Sequence, residues 1–194
     1  MRIFVAGATG VIGRHLVPLL VEGGHDVAGM TRTPGKADWL RHVGAEPVFC
    51  DVFERDALFR AVAGFSPDVV VHQLTDLPDD VAQVREQAAA NSRMRREGTT
   101  NLVDAACTCS ARVIAQSVAW TLPGDGGEAV AFLERSVLDA GGVVVRYGQL
   151  FGPGTYYPVT RPDPPRIHVD EAAHRTVMLL EAPSGIVDVV DDPG

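Results

Sequence analysis

Residues 2–13 read Arg2-Ile3-Phe4-Val5-Ala6-Gly7-Ala8-Thr9-Gly10-Val11-Ile12-Gly13. An apolar run of strand length ends in a glycine turn, and a helical pattern then continues through His15-Leu16-Val17. Glycines at 7, 10 and 13 let the backbone turn sharply, approach a pyrophosphate closely and pack the helix tightly on the strand. The free N–H groups at the helix N-terminus and the positive end of its dipole favour phosphate. Three glycines alone equally describe any tight strand-to-helix turn. Their place directly after the first strand, opening a helix, is the context that a dinucleotide-binding turn requires. Gly7, Thr9, Gly10, Val11, Ile12 and Gly13 are therefore expected to cradle the phosphates of a dinucleotide.

Strand and helix signals alternate outward from this turn. Val27–Met30 reads as a second strand with a helix near Lys36–Val43, and Pro47–Cys50 as a third with a helix from Glu54 to Val62. Asp68–His72 is a fourth strand, nearly all apolar as buried parallel strands are. A long helical region is expected from Asp79 to Ala106, with Leu102, Val103 and Ala106 on one face. Arg112–Ala115 follows as a fifth strand. Val130, Leu133, Val137 and Leu138 recur at the helical period. Gly141-Gly142 stops that helix, and Val143–Arg146 forms a sixth strand. Prolines 153, 158, 162, 164 and 165 deny regular structure to residues 153–166, which should run as a surface loop. Asp170 offers an N-cap to a helix reaching Glu181, and Ile186–Val190 is a short final strand. Repeated βα units predict an α/β fold: a doubly wound, Rossmann-like parallel sheet with right-handed crossovers. A single domain over residues 1–194 is expected, with a much reduced C-terminal substrate region.

Composition narrows the partners. Hydrophobic residues are 46% and charged residues 22%, as in globular proteins generally. Seventeen basic against 25 acidic residues give a net charge of −8, which argues against nucleic acid as the main partner. Arg93, Arg95 and Arg96, the densest basic group, read as a solvated helix face. No apolar run approaches the roughly 20 residues that span a bilayer. The N-terminal stretch is interrupted by glycines and lacks a signal-peptide cleavage pattern. Cys50, Cys107 and Cys109 have neither metal-ligand nor redox spacing, so reduced thiols and a cytoplasmic location are expected.

In a doubly wound sheet the ligand lies outside the carboxyl ends of the strands, at the switch point beside the first. The second strand ends Met30-Thr31-Arg32-Thr33. An acidic residue there would bind a ribose 2′-hydroxyl and repel a 2′-phosphate, but Asp26 sits at the opposite end of the strand. Arg32 presents a planar fork suited to phosphate, with Thr31, Thr33 and Lys36 nearby. NADP is therefore favoured over NAD; the alternative is a solvated surface arginine. Asp51 is placed to accept from the adenine amino group, with Val52 beside the ring, or else to cap the next helix. Gln73, Leu74 and Thr75 lie where the chain would pass the second ribose and the nicotinamide. His72 reads as a satisfied core histidine rather than a base.

Together these residues resemble the extended or atypical short-chain dehydrogenase/reductase superfamily, in its NAD(P)-dependent epimerase/dehydratase branch. The resemblance rests on Gly7-Ala-Thr-Gly10-Val-Ile-Gly13, Cys50-Asp51-Val52, Pro67–His72, Glu97–Ala106, Gln116-Ser117, Leu150–Gly154 and Ile167–Asp170. It implies a nicotinamide dinucleotide and oxidation or reduction of a carbinol carbon, often within sugar nucleotides. It also implies a tyrosine with a lysine four residues later, the lysine lowering the tyrosine pKa, and a serine or threonine. This chain cannot supply that pair. Lys36 is its only lysine, and its tyrosines are Tyr147, Tyr156 and Tyr157. Aligned on Glu134, Gly126 and Val130 stand at the tyrosine and lysine positions. Ser117 matches the serine region and is the catalytic candidate; the alternative is a serine satisfying backbone at the strand end. Trp120 falls near an aromatic position of the family. Tyr147, before Gly148, is expected beside the nicotinamide, and Tyr147, Tyr156 and Tyr157 are read as pocket lining ahead of stand-in acids. His168 and Asp170 are read as a structural cap.

Residues 121–127 and 155–166 are short where longer relatives build a substrate domain, so the pocket should be shallow and wet. The expected function is an NAD(P)-dependent oxidoreductase or sugar-nucleotide epimerase/dehydratase-like protein with a divergent site, acting on an unidentified small molecule. The alternative is a non-catalytic NADP-binding sensor or partner-binding protein. A homodimer through helices at 79–106 and 126–140 follows only by fold-level analogy.

Overall fold

Strand β1 (Arg2–Ala6) sends Ile3 and Val5 to one side and Phe4 and Ala6 to the other, all four fully buried. That alternation sets two cores, one on each face of a parallel sheet. The computed structural model describes residues 1–191. The remaining sheet strands are β2 (Asp26–Thr31), β3 (Glu46–Phe49), β4 (Val69–His72), β5 (Arg112–Val118), β6 (Val143–Tyr147) and, last in the chain, β9 (Gly185–Val189). Their order is β3-β2-β1-β4-β5-β6-β9, every pair parallel. Helices α1 (Val11–Glu22), α2 (Pro34–His42) and α7 (Val169–Met178) cover one face. Helices α3 (Arg55–Phe65), α5 (Thr99–Thr108) and α6 (Gly124–Asp139) cover the other. A short helix α4 (Ala88–Arg93) leads through a π-turn, Met94–Gly98, into α5. No helix among the described residues is long and apolar enough to cross a membrane.

Four local expectations are corrected. Helix does not begin at Asp79: a single 3-10 turn, Val81–Gln83, is capped by Asp80, and α4 starts only at Ala88. Residues 79–90 bury no side chain fully, so an isolated helix there would lack the apolar face that stabilises short helices. In α6 the buried positions are Ala129, Leu133, Glu134 and Val137, whereas Val130 and Leu138 are half-buried. The stripe is turned because Glu134 is drawn inward by polar partners on β5 and β6. Of the two residues read as a cap, His168 is the N-cap of α7, its Nδ1 accepting from the Asp170 N–H at 3.3 Å, and Asp170 is not. Asp170 instead meets His15 of α1 at 2.6 Å, and α7 ends at Met178. The proline-rich loop is flanked by a small parallel pair, β7 (Gln149–Phe151) and β8 (Arg166–His168), for which the sequence carries no clear signal.

Candidate functional site

All seven strands of the main sheet end on one edge, and the chain changes direction between β1 and β4. Ala6 pairs with His72 across that boundary, so Gly7 emerges directly against Gln73. Gly7 has φ +87°, and a Cβ there would lie 2.5 Å from the Gln73 carbonyl oxygen. The Gly10 N–H donates to the Gly7 carbonyl at 3.0 Å, closing the turn. A Cβ on Gly13 would sit 2.3 Å from the same Gly7 oxygen. Turn, helix and β4 are thus in backbone contact, which only glycine permits. Gly10 caps α1 with no side-chain bond, so the first-turn amides, those of Val11 and Ile12 among them, are left for a ligand's acceptors. The Val11 side chain is exposed and that of Ile12 is buried, so Ile12 offers only its backbone.

At the adenosine end, Arg32 leaves β2 with its side chain 57% exposed, 3.5 Å from Asp51. Thr31 is buried, its hydroxyl accepting from the Thr33 N–H. Asp51 accepts from the Phe53 N–H at 3.0 Å, so one carboxylate oxygen already braces its own loop. Val52 is buried, its carbonyl bonded by the Asn101 amide, and backs the site from beneath.

At the other end, His72 is fully buried. Its Nδ1 accepts from the Leu74 N–H at 3.2 Å, which leaves Nε2–H to donate to Thr99 at 3.0 Å. Burial pulls its pKa down to about 4, making it a neutral core histidine. The unfolded chain takes up this proton near 6.5 and the folded chain only near 4, so the unfolded state binds more protons between those values. Stability should therefore fall as pH drops from 6.5 toward 4, starting above the range in which the carboxylates titrate. Urea midpoints at intervals across that range check this, and a flat profile would refute it.

Gln73 donates from Nε2 to the Tyr147 hydroxyl at 3.2 Å. Tyr147 donates to Thr176, and Thr176 to the Ala172 carbonyl, both at 2.6 Å. Tyr147 is 3% exposed and burial raises its pKa to about 12, so it lies beneath Gln73 and is disabled as an acid. Gln73 Oε1 is buried with no partner among the described residues. An orphaned acceptor at the switch point fits a ligand that brings its own N–H or O–H donor, as a nicotinamide nucleoside would. Cradle and acceptor together suit a dinucleotide.

Ser117 ends up facing α6. Its hydroxyl donates to Glu134 at 2.7 Å, and Arg146 grips the same carboxylate from Nε and Nη2 at 2.8 and 2.6 Å. Burial would raise the Glu134 pKa, but the bonds from Arg146 and Ser117 outweigh it and hold the carboxyl below its ordinary range. Gly126 and Val130 occupy the first two turns of α6 and bring no ionisable group. The Tyr156 hydroxyl bonds the Pro78 carbonyl, and Tyr157 reaches Gln149 at 3.4 Å. The glycine turn, Gln73 and Leu74 converge on the crevice, with Arg32 and Asp51 at its β2–β3 end. Tyr147 and Val52 lie below it, and Ser117 is engaged in the core. Sequence reasoning used Glu134 only as a landmark and missed Arg146. Their buried pairing was signalled only by an acidic residue on an apolar helix stripe.

A model of the NAD dependent epimerase/dehydratase family matches residues 3–141. A 3-diazoavenalumate denitrifying reductase from Streptomyces sp is 35% identical over 236 positions, covering 99% of this chain and 76% of the relative. That alignment is longer than the 194-residue chain, so the relative carries internal segments that are missing here. Among solved structures, the UDP-glucose 4-epimerase of Thermus thermophilus, in complex with NAD, superposes with a TM-score of 0.79 at 20% identity. The match covers all of this chain and 79% of the epimerase. The UDP-Glc/GlcNAc 4-epimerase of Campylobacter jejuni gives 0.80 at 15% identity, covering 97% and 78%.

Proposed function

The chain belongs to the NAD dependent epimerase/dehydratase family, and from that premise we propose an NADPH-preferring reductase with a divergent site that works without a protein-borne proton relay. The observation carrying this reading is the pairing of an intact dinucleotide cradle with Gly126 and Val130 at the relay positions. Interconverting a carbonyl and an alcohol moves a proton together with the hydride, which is the work of the tyrosine–lysine pair. A chain with no such pair, and with Tyr147 held in the core, suits an acceptor that needs hydride alone. When bound, the reduced nicotinamide supplies that hydride. The first-turn amides of α1 hold the phosphates, Gln73 Oε1 accepts a donor from the nicotinamide half, and Arg32 takes the 2′-phosphate. Ser117 is engaged with Glu134 and serves the fold.

An arenediazonium is an acceptor of the required kind. One hydride neutralises its charge, the C–N bond breaks, and the products are an arene C–H and dinitrogen, with no proton drawn from the protein. The name of the Streptomyces relative, a denitrifying reductase of a diazo compound, supports the same class. The test follows NADPH loss and dinitrogen release with 4-carboxybenzenediazonium, corrected for the reaction without protein, beside aldehydes, ketones and nucleotide sugars. Protein-dependent turnover of the diazonium alone is expected. Turnover of a ketone or nucleotide sugar, or none of the diazonium by nucleotide-loaded protein, would overturn the proposal. The missing internal segments favour a second reading, a non-catalytic NADP-binding protein. Under it, NADPH binds and no substrate in the panel turns over.

Cofactor preference is tested separately. Charge-assisted bonds contribute about 1.5–3 kcal/mol, so NADPH should bind roughly 10- to 100-fold more tightly than NADH. Arg32→Ala should remove most of that difference in a fluorescence titration. Equal affinities before mutation would refute the assignment.

A further inference from the structure

Three arginines stand within residues 93–96, and the fold treats them differently. Arg93 pairs with Glu97 at 2.7 Å and lies over the Phe53 ring, and Arg96 pairs with Asp125 at 2.8 Å. Those two fit the solvated face expected from sequence. Arg95 does not: it is partly buried and, among the described residues, has no ion pair or hydrogen-bond partner. Its place on the helix explains where it goes: Arg95 stands four residues from both Asn91 and Thr99 and so shares their face. Asn91 accepts from the Asp76 N–H at 3.1 Å, and Thr99 bonds His72 at 3.0 Å. Both reach the carboxyl end of β4 and the segment leaving it, so Arg95 stands on the helix face turned toward that end of the sheet. Arg96 and Ser92 instead turn toward Asp125 of α6.

Burial lowers the Arg95 pKa with no carboxylate to offset it. A cation drawn out of water without a partner is costly, and such groups are usually completed by a ligand. The dinucleotide phosphates are provided for by α1 on the opposite face of the sheet. The segments leaving β4, β5 and β7 expose Leu77, Val81, Trp120 and Tyr156, and the bond from Tyr156 to Pro78 ties two of them together. Exposed apolar and aromatic side chains thus follow the carboxyl ends of strands at the edge toward which the face of Arg95 is turned.

We propose that Arg95 is a specificity-determining residue that takes the carboxylate of an aromatic acid, whose apolar body is received by the Leu77, Trp120 and Tyr156 rim. This deepens, and rests on, the reading of the crevice as a reductase site. A guanidinium suits carboxylate and phosphate alike, so the test separates substrate from cofactor. Calorimetric titration of the full chain, with and without NADP, uses cinnamate and the neutral cinnamamide as probes on wild type, Arg95→Met and Arg95→Lys.

Wild type should prefer cinnamate about tenfold or more. Arg95→Met should abolish the preference with NADP affinity unchanged, and Arg95→Lys should keep part of it. Equal binding of the two probes by wild type, or an unaltered preference in Arg95→Met, would overturn the proposal. So would a selective loss of NADP affinity in Arg95→Met, which would give the guanidinium to a cofactor phosphate. Cinnamate selectivity is read by heat and not by turnover, so it stands or falls separately from the diazonium assay.

Discussion

Gly13→Ala is expected to destabilise the protein by about 1–2 kcal/mol and to weaken nucleotide binding at least tenfold, although alanine is the better helix former. Two effects compete. Within a helix, replacing glycine by alanine gains about 0.5–1 kcal/mol. Against this, the new Cβ would lie 2.3 Å from the Gly7 oxygen and 2.6 Å from the Ala8 carbonyl group. These are backbone atoms, so relief requires moving α1 off β1, and overpacking of this kind costs about 1–3 kcal/mol or more. The steric term wins. The displaced amides are the ones that meet the phosphates, and a lost charge-assisted bond accounts for the tenfold drop. Gly64→Ala is the control: it lies in α3 with nothing within 4 Å of its Cβ, and should stabilise by about 0.5 kcal/mol. Thermal melts and NADPH titration of both variants decide the matter. A Gly13→Ala protein as stable and as tight-binding as wild type would remove the cradle from the account.

The sheet was legible because each strand is an apolar run bounded by turn residues, and because β1 is followed at once by the glycine turn. Asp68–His72 needed no more than its continuous valines. The missing helix at 79–87 was not legible, since its sequence is helix-compatible and only the lack of a surface to dock against decides it. His168 replaced Asp170 as cap for a similar reason: both are competent, and His15 on a distant helix claims the carboxylate. The β7–β8 pair depends on chain segments 17 residues apart meeting across a proline loop, which no local pattern encodes. In the site, Gly7, Gly10 and Gly13 were readable from spacing. Arg95 was not, because which arginine of a basic run goes unpaired depends on the carboxylates that the fold brings near, Glu97 to Arg93 and Asp125 to Arg96.

Glu134→Ala should lower stability by about 3 kcal/mol, which for a chain of this size is a fall in melting temperature of roughly 6–12 °C. Glu134 is 7% exposed and holds three bonds from Ser117 and Arg146. Removing it leaves a hydroxyl and a guanidinium facing a small void, and losing one partner of a buried ion pair costs about 3–5 kcal/mol. The lower figure applies because the Arg146 side chain is 36% exposed and can turn toward water. The carboxylate's folded pKa lies below its ordinary 4.5, so its contribution is complete above that value and is lost as pH falls through the folded one. The gap between wild type and Glu134→Ala should therefore be widest at neutral pH and should close in acid. Glu134→Leu combined with Arg146→Met should recover much of the loss, since replacing both charges removes the unpaired group. Urea unfolding of the two single variants and the pair gives the coupling directly. Additive losses in that cycle would show that Glu134 and Arg146 do not act as one unit.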